Sequence, residues 1–168
     1  DACHFGEITH QENRALVNLL DLQLHDLDPD GFDPDAFDAV ALVDHSRPGV
    51  NDQLPEGTPV DVVIDHHPAE NVEARFVDRR EEIGATATIL TEHVRELEVE
   101  LDEKLATGLL FAIRRETLGF LRGVTPAEYD AASYLHPTAD VTLLRQIASP
   151  SVTGATVDAI AEAIDNRT

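Results

Sequence analysis

Two short apolar runs constrain this chain most, because each ends on residues that carry chemistry. Ala39-Val40-Ala41-Leu42-Val43 stops at Asp44, and Val60 to Ile64 stops at Asp65-His66-His67. A strand with one wet face alternates polar and apolar side chains. An unbroken short run such as the first instead suits a strand covered on both faces of a parallel sheet, and the second reads as a buried-type strand as well. Ligands of open parallel sheets sit just outside the carboxyl ends of the strands, so both chemical runs fall where a site belongs. Ala74-Arg75-Phe76-Val77 reads as a third, edge strand.

Around these strands the periodicity is helical. Gln11 to Leu20 places Ala15, Leu16, Leu19 and Leu20 on one face of a short amphipathic helix. His25 to Asp38 is acidic and contains Pro and Gly, which predicts a loop. After Gly84 the pattern predicts helices over Thr86 to Leu97 and Asp102 to Arg115. Thr125-Pro126-Ala127-Glu128 is a capping box with proline at the first helical position, opening a helix to about Leu135. Asp140 to Ala148 and Thr153 to Ile164 complete the set. The expected fold class is therefore α/β, a parallel sheet with a helical C-terminal half, within one domain over residues 1–168.

Charge bears on partners. Asp and Glu number 33 against 12 Lys and Arg, a formal charge of −21, and Lys104 is the one lysine. Acidity with so little lysine, and neither Met nor Trp, resembles the proteins of salt-in halophilic archaea, whose carboxylates keep them hydrated in molar salt. At ~1 M salt the Debye length is about 3 Å, so charge steering is nearly absent. Counterion-driven nucleic-acid binding is weak there, and the arginines form no basic stripe. A bound phosphate must then be held by metals and a few short contacts. No apolar stretch reaches the ~20 residues of a membrane span, and no export leader is readable. A single cysteine, Cys3, fits a reducing cytoplasm and reads as a small buried apolar residue.

Two imidazoles and a carboxylate leaving a strand at Asp65-His66-His67 suit a divalent transition metal such as Mn, Fe or Zn. The alternative for such a pair is a turn with solvated histidines. Context tips the balance: VIDHHP follows one strand, LVD closes an earlier one, and ETLGF lies on a later helix. In that order the three motifs resemble the DHH phosphoesterase superfamily, which includes RecJ-type exonucleases, nano-RNases, cyclic dinucleotide phosphodiesterases, exopolyphosphatases and manganese pyrophosphatases. The resemblance runs from Gly6-Glu7 to the helices near Asp158 and is nearest to archaeal RecJ-like proteins.

That resemblance implies a role for each matching position. Asp44 matches the aspartate that bridges two Mn2+ ions, and His66 a ligand of the second metal. Asp65 would orient the motif by hydrogen bonds. His67 matches the histidine that contacts the substrate phosphate and assists proton transfer. Glu116 stands where the superfamily has a metal-binding aspartate; a solvated helix carboxylate is the equal alternative. Arg47 can meet a phosphate, with a surface role as its plainer reading, and the N–H groups at Gly84-Ala85-Thr86 can receive an anion. Arg114 and Arg115 are expected to pair with Glu116. His4, His10, His45, His93 and His136 match no ligand spacing and read as structural or exposed.

Two departures stand out. The superfamily opens with a His-x-x-x-Asp-x-Asp strand, and nothing before Asp44 supplies it. His25 to Gly31 lies too near Asp44 to do so. That stretch also resembles an EF-hand loop, but Phe37 occupies the place of the bidentate glutamate. A C-terminal substrate domain is likewise missing, so the chain reads as part of a longer polypeptide, with little turnover expected of these 168 residues alone. The expected activity is metal-dependent hydrolysis of a phosphodiester or phosphoanhydride in a small nucleotide, short oligonucleotide or polyphosphate. The alternative is a catalytically inactive nucleotide-binding or regulatory module. Self-association into a homo-oligomer is a further expectation.

Overall fold

The computed structural model describes residues 1–148, together with 162 and 164. The helix expected over Thr153 to Ile164 therefore lies outside the described residues. Strand β1 (Ala2–His4) is followed by helix α1 (Gln11–Leu19) and strand β2 (Leu24–Asp26), and the strands pair in parallel with Cys3 opposite His25. After a 3-10 turn at Pro34–Ala36 come β3 (Ala41–Val43), β4 (Val62–Asp65) and β5 (Phe76–Arg79). These form a second parallel sheet in the order β3-β4-β5, with Leu42 opposite Val63 and Val63 opposite Val77.

Asp61 interrupts the second apolar run for a local reason. Its carboxylate accepts from the Val40 N–H at 3.0 Å and from Arg75 at 3.2 Å, pinning the entries of β3 and β4 together. Those bonds, the Val40 one foremost, hold its pKa below the ordinary carboxylate range.

The helical half follows: α2 (Thr86–Glu96), α3 (Glu103–Glu116), α4 (Pro126–Leu135) and α5 (Val141–Ala148). Asp102 caps α3 by accepting from Leu105 N at 2.7 Å, an arrangement worth about 1 kcal/mol. The capping box of α4 is formed in full by Thr125 and Glu128. Ala85, Ala106, Leu110, Ile113, Leu135 and Ile147 make the main core between helices. Leu42, Leu54 and Val63 form a smaller one against the sheet, joined by Phe5 and Phe32.

Several expectations need correction. Leu24–Asp26 is strand, so the loop expected from His25 begins two residues later. In β3 only Leu42 is buried; Val43 is 44% exposed, because β3 is an edge strand of its sheet rather than a strand covered on both faces. The third strand is displaced toward Arg79 but does lie at the edge. Cys3 is exposed rather than buried, since β1 packs little of its own surface. Arg115 pairs at 3.1 Å with Glu12 of α1, not with Glu116.

Candidate metal centre

Because β3 and β4 run side by side in the same direction, the residues that follow them emerge at one rim. Asp44 leaves β3, and His66 and His67 leave β4. One ligand atom from each lies within 4.8 Å of the others. Asp44 takes a left-handed backbone conformation, φ 68°, which non-glycine residues seldom adopt and which tends to persist at functional sites. Its N–H still donates to Ile64 O at 3.0 Å, so the turn begins only after the ladder is complete.

His66 is fixed by a main-chain carbonyl. Its Nδ1 stands 2.9 Å from Ile83 O. A carbonyl can only accept, so Nδ1 carries a hydrogen, and in the neutral ring, the form that binds a metal, Nε2 holds the lone pair. That Nε2 is buried, has no hydrogen-bond partner among the described residues and lies 3.7 Å from Asp44 Oδ1. A buried imidazole lone pair beside a carboxylate oxygen is the donor set a divalent cation satisfies, and a carbonyl holding the far nitrogen is its usual support. The residues present fit a metal ion.

Asp65 organises the turn. Only 1% exposed, it accepts from Ser46 Oγ at 2.5 Å, from the N–H groups of His66 and His67 at 2.8 and 3.0 Å, and from His67 Nδ1 at 2.8 Å. Burial pushes its pKa up, but these donors together outweigh burial and hold the carboxyl below the ordinary carboxylate range. In return the Asp65 bond raises the basicity of His67, against burial and with help from the charges of Asp44 and Glu116. With Nδ1 committed to Asp65, Nε2 is the free nitrogen of the half-exposed His67 ring.

Three contributors carried no signal in the sequence: Ser46 beneath Asp65, the Ile83 carbonyl behind His66, and Thr86, which donates to Asp44 Oδ1 at 2.7 Å. Each acts across a long sequence separation. Glu116 ends α3, is exposed, and lies near enough to influence His67 without joining the three-residue cluster. Arg47 is exposed and lines an open hollow with Glu56, Asp61 and Arg75, and that hollow includes none of the cluster. The Gly84 N–H is taken by the Glu128 carboxylate and is not free to receive an anionic ligand. His45 and His93 are held by Asp52 at 2.7 Å and Asp78 at 2.9 Å, in keeping with structural roles. Among the described residues no helix is long and apolar enough to cross a membrane.

A parallel sheet with this carboxylate and imidazole rim and a helical half behind it agrees with the DHH-type phosphoesterase fold expected from the sequence. No family model matches the chain. It is 35% identical over 171 residues to an uncharacterized protein of Methanocaldococcus jannaschii, covering 99% of this chain and 34% of that protein. It is 39% identical over 106 residues to a protein of Listeria welshimeri assigned as a manganese-dependent inorganic pyrophosphatase, covering 61% of the chain and 34% of the relative. The chain thus spans about a third of the length of these relatives. Among solved structures, one assigned to the family II inorganic pyrophosphatases, from Methanococcus jannaschii, superposes with a TM-score of 0.64 at 22% identity, over 82% of this chain and 49% of that one. An exopolyphosphatase-related protein from Bacteroides fragilis gives 0.63 at 14% identity, over 98% and 60%. The DHH resemblance read from the sequence is matched by the fold of both.

Proposed function

We propose that this chain forms the metal-binding part of a divalent-cation-dependent hydrolase that cleaves phosphoanhydride bonds of a small phosphorylated substrate. The observation that carries the reading is His66: its Nδ1 is locked on Ile83 O, and its buried, unpartnered Nε2 faces Asp44. Asp44 and His66 would hold the ion. Manganese is favoured by the likeness to proteins assigned as manganese-dependent pyrophosphatases. A bound divalent cation supplies Lewis acidity to a phosphoryl oxygen and acidifies water.

The chain's own residues supply the rest. His67 presents Nε2 toward solvent while Asp65 holds Nδ1, which keeps the ring oriented and more readily protonated. In that state it can donate to a phosphate oxygen, and after giving up the proton it can receive one. Asp65 itself, buried and saturated with donors, positions the two histidines and touches no substrate. Glu116 acts on His67 through its charge and stands outside the three-residue cluster. Phosphoanhydride is preferred over phosphodiester because the similar proteins are described as pyrophosphatase or exopolyphosphatase-related.

The test is Mn2+ binding followed by electron paramagnetic resonance, with phosphate release from pyrophosphate and short polyphosphate by the full-length protein in molar KCl. His66→Ala and Asp44→Asn should abolish both signals. Retained Mn2+ affinity in both variants would overturn the assignment.

A further inference from the structure

We infer that Thr86 is a positioning residue for Asp44, setting which way that carboxylate faces an incoming cation; the inference rests on the metal-site reading above. Asp44 needs such a partner. Its side chain is 52% exposed, it sits on a left-handed turn, and the Thr86 hydroxyl is its one side-chain hydrogen-bond donor among the described residues. An exposed carboxylate on a turn rotates freely between staggered positions, and a ligand that must be immobilised on binding loses affinity. Thr86 Oγ1 donates to Oδ1 at 2.7 Å, the oxygen that also lies 3.7 Å from His66 Nε2.

The donor is itself immobile. Thr86 is 4% exposed in the first turn of α2. The segment before it is fastened from the helical half, where Glu128 Oε1 accepts from Gly84 N at 2.9 Å while Oε2 accepts from Thr125 N and Oγ1, each at 2.7 Å. Gly84 allows this approach because a Cβ there would lie 2.1 Å from Gly123 O. A fixed hydroxyl thus meets a mobile carboxylate, and it is the carboxylate that becomes ordered. A hydrogen bond to a ligating carboxylate also steers its remaining lone pairs toward the ion, and losing such a partner typically costs ~10–100-fold in metal affinity.

The experiment measures Mn2+ affinity of the full chain in molar KCl by electron paramagnetic resonance, with the metal-free thermal midpoint alongside. Thr86→Val keeps the shape and removes the donor; Thr86→Ser keeps the donor. The expected result is Mn2+ binding weakened ~10–100-fold in the valine variant and near wild type in the serine variant, with metal-free midpoints alike. Should the valine variant fail to fold, Thr86→Ala is read in its place, since it removes the hydroxyl without adding bulk. Wild-type affinity in the variants lacking the hydroxyl, with His66→Ala inactive in binding, overturns the role of Thr86 and leaves the metal site intact. Equal binding by wild type, His66→Ala and Asp44→Asn overturns the metal reading, and the inference with it.

Discussion

The His66 imidazole is oriented by Ile83, whose main-chain oxygen lies 2.9 Å from Nδ1 and leaves Nε2 bare toward Asp44. The support comes from backbone, so no substitution at position 83 removes it, and the ring tautomer is set before any ion arrives. His66→Gln should therefore lose more Mn2+ affinity than its polarity suggests, because an amide reproduces neither the carbonyl contact nor the imidazole lone pair together. Calorimetric titration in molar KCl checks this, with at least a ~100-fold loss expected for removal of a direct ligand, beyond the ~10–100-fold of an outer partner.

Glu128 should matter to stability far more than an ordinary glutamate. It is fully buried and satisfies donors on two helix starts. Glu128→Ala strands the N–H groups of Gly84 and Thr125, and each buried unsatisfied donor costs roughly 1–3 kcal/mol. A loss of about 2–6 kcal/mol on those grounds is expected in urea unfolding at fixed salt. Thr125→Ala, which removes a cap but leaves the carboxylate, should cost about 1 kcal/mol.

The sequence made the rim and the helices readable because their signals are local. Asp44 and Asp65-His66-His67 terminate apolar runs, and Thr125 and Glu128 lie within one helical turn. It concealed β1 and β2, whose residues Ala2-Cys3-His4 and Leu24-His25-Asp26 show no apolar period and become strands only by pairing with each other. The same holds for Thr86, whose bond to Asp44 spans 42 positions, and for Glu128, whose capping role was evident but whose bond to Gly84 spans 44. Arg115 met Glu12 for a similar reason: which helix lies alongside is decided by packing, which proximity in sequence does not report.

Metal-free stability should depend on pH through His67. Its basicity is raised in the folded state by the Asp65 bond, so that contribution is complete below the unfolded value of 6.5 and fades as pH rises through the higher folded value. Asp65 acts in the opposite window: its pKa is lowered in the folded state, so its contribution is present above 3.8 and fades as pH falls through the folded value. With a chelator and molar KCl present, the midpoint should decline from pH 6 to alkaline pH in wild type, and His67→Gln should flatten the decline. An unchanged slope in the variant would assign the pH dependence elsewhere.

Salt should stabilise the fold. With a charge of −21, self-repulsion opposes the compact state in dilute buffer, and screening relieves it. The thermal midpoint by circular dichroism should climb steeply from dilute buffer to molar KCl. Sedimentation at each salt tests the accompanying expectation that the chain self-associates once folded, since Val43, Phe76 and Val77 leave apolar surface exposed at the edge strands β3 and β5. A flat midpoint and a monomer throughout would contradict both.

The contact between Gly84 and Gly123 has an evolutionary corollary. Positions 84 and 123 touch through backbone, and 125 and 128 grip the same spot from the next helix. Positions 84 and 128 resist drifting alone: a side chain at 84 collides with a carbonyl, and a lost acid at 128 releases both helix starts. Lineages that diverge in substrate should therefore inherit these four positions as a block and vary the rim around them. A homologue that has exchanged Glu128 is where compensating changes at 84 and 123 should be sought.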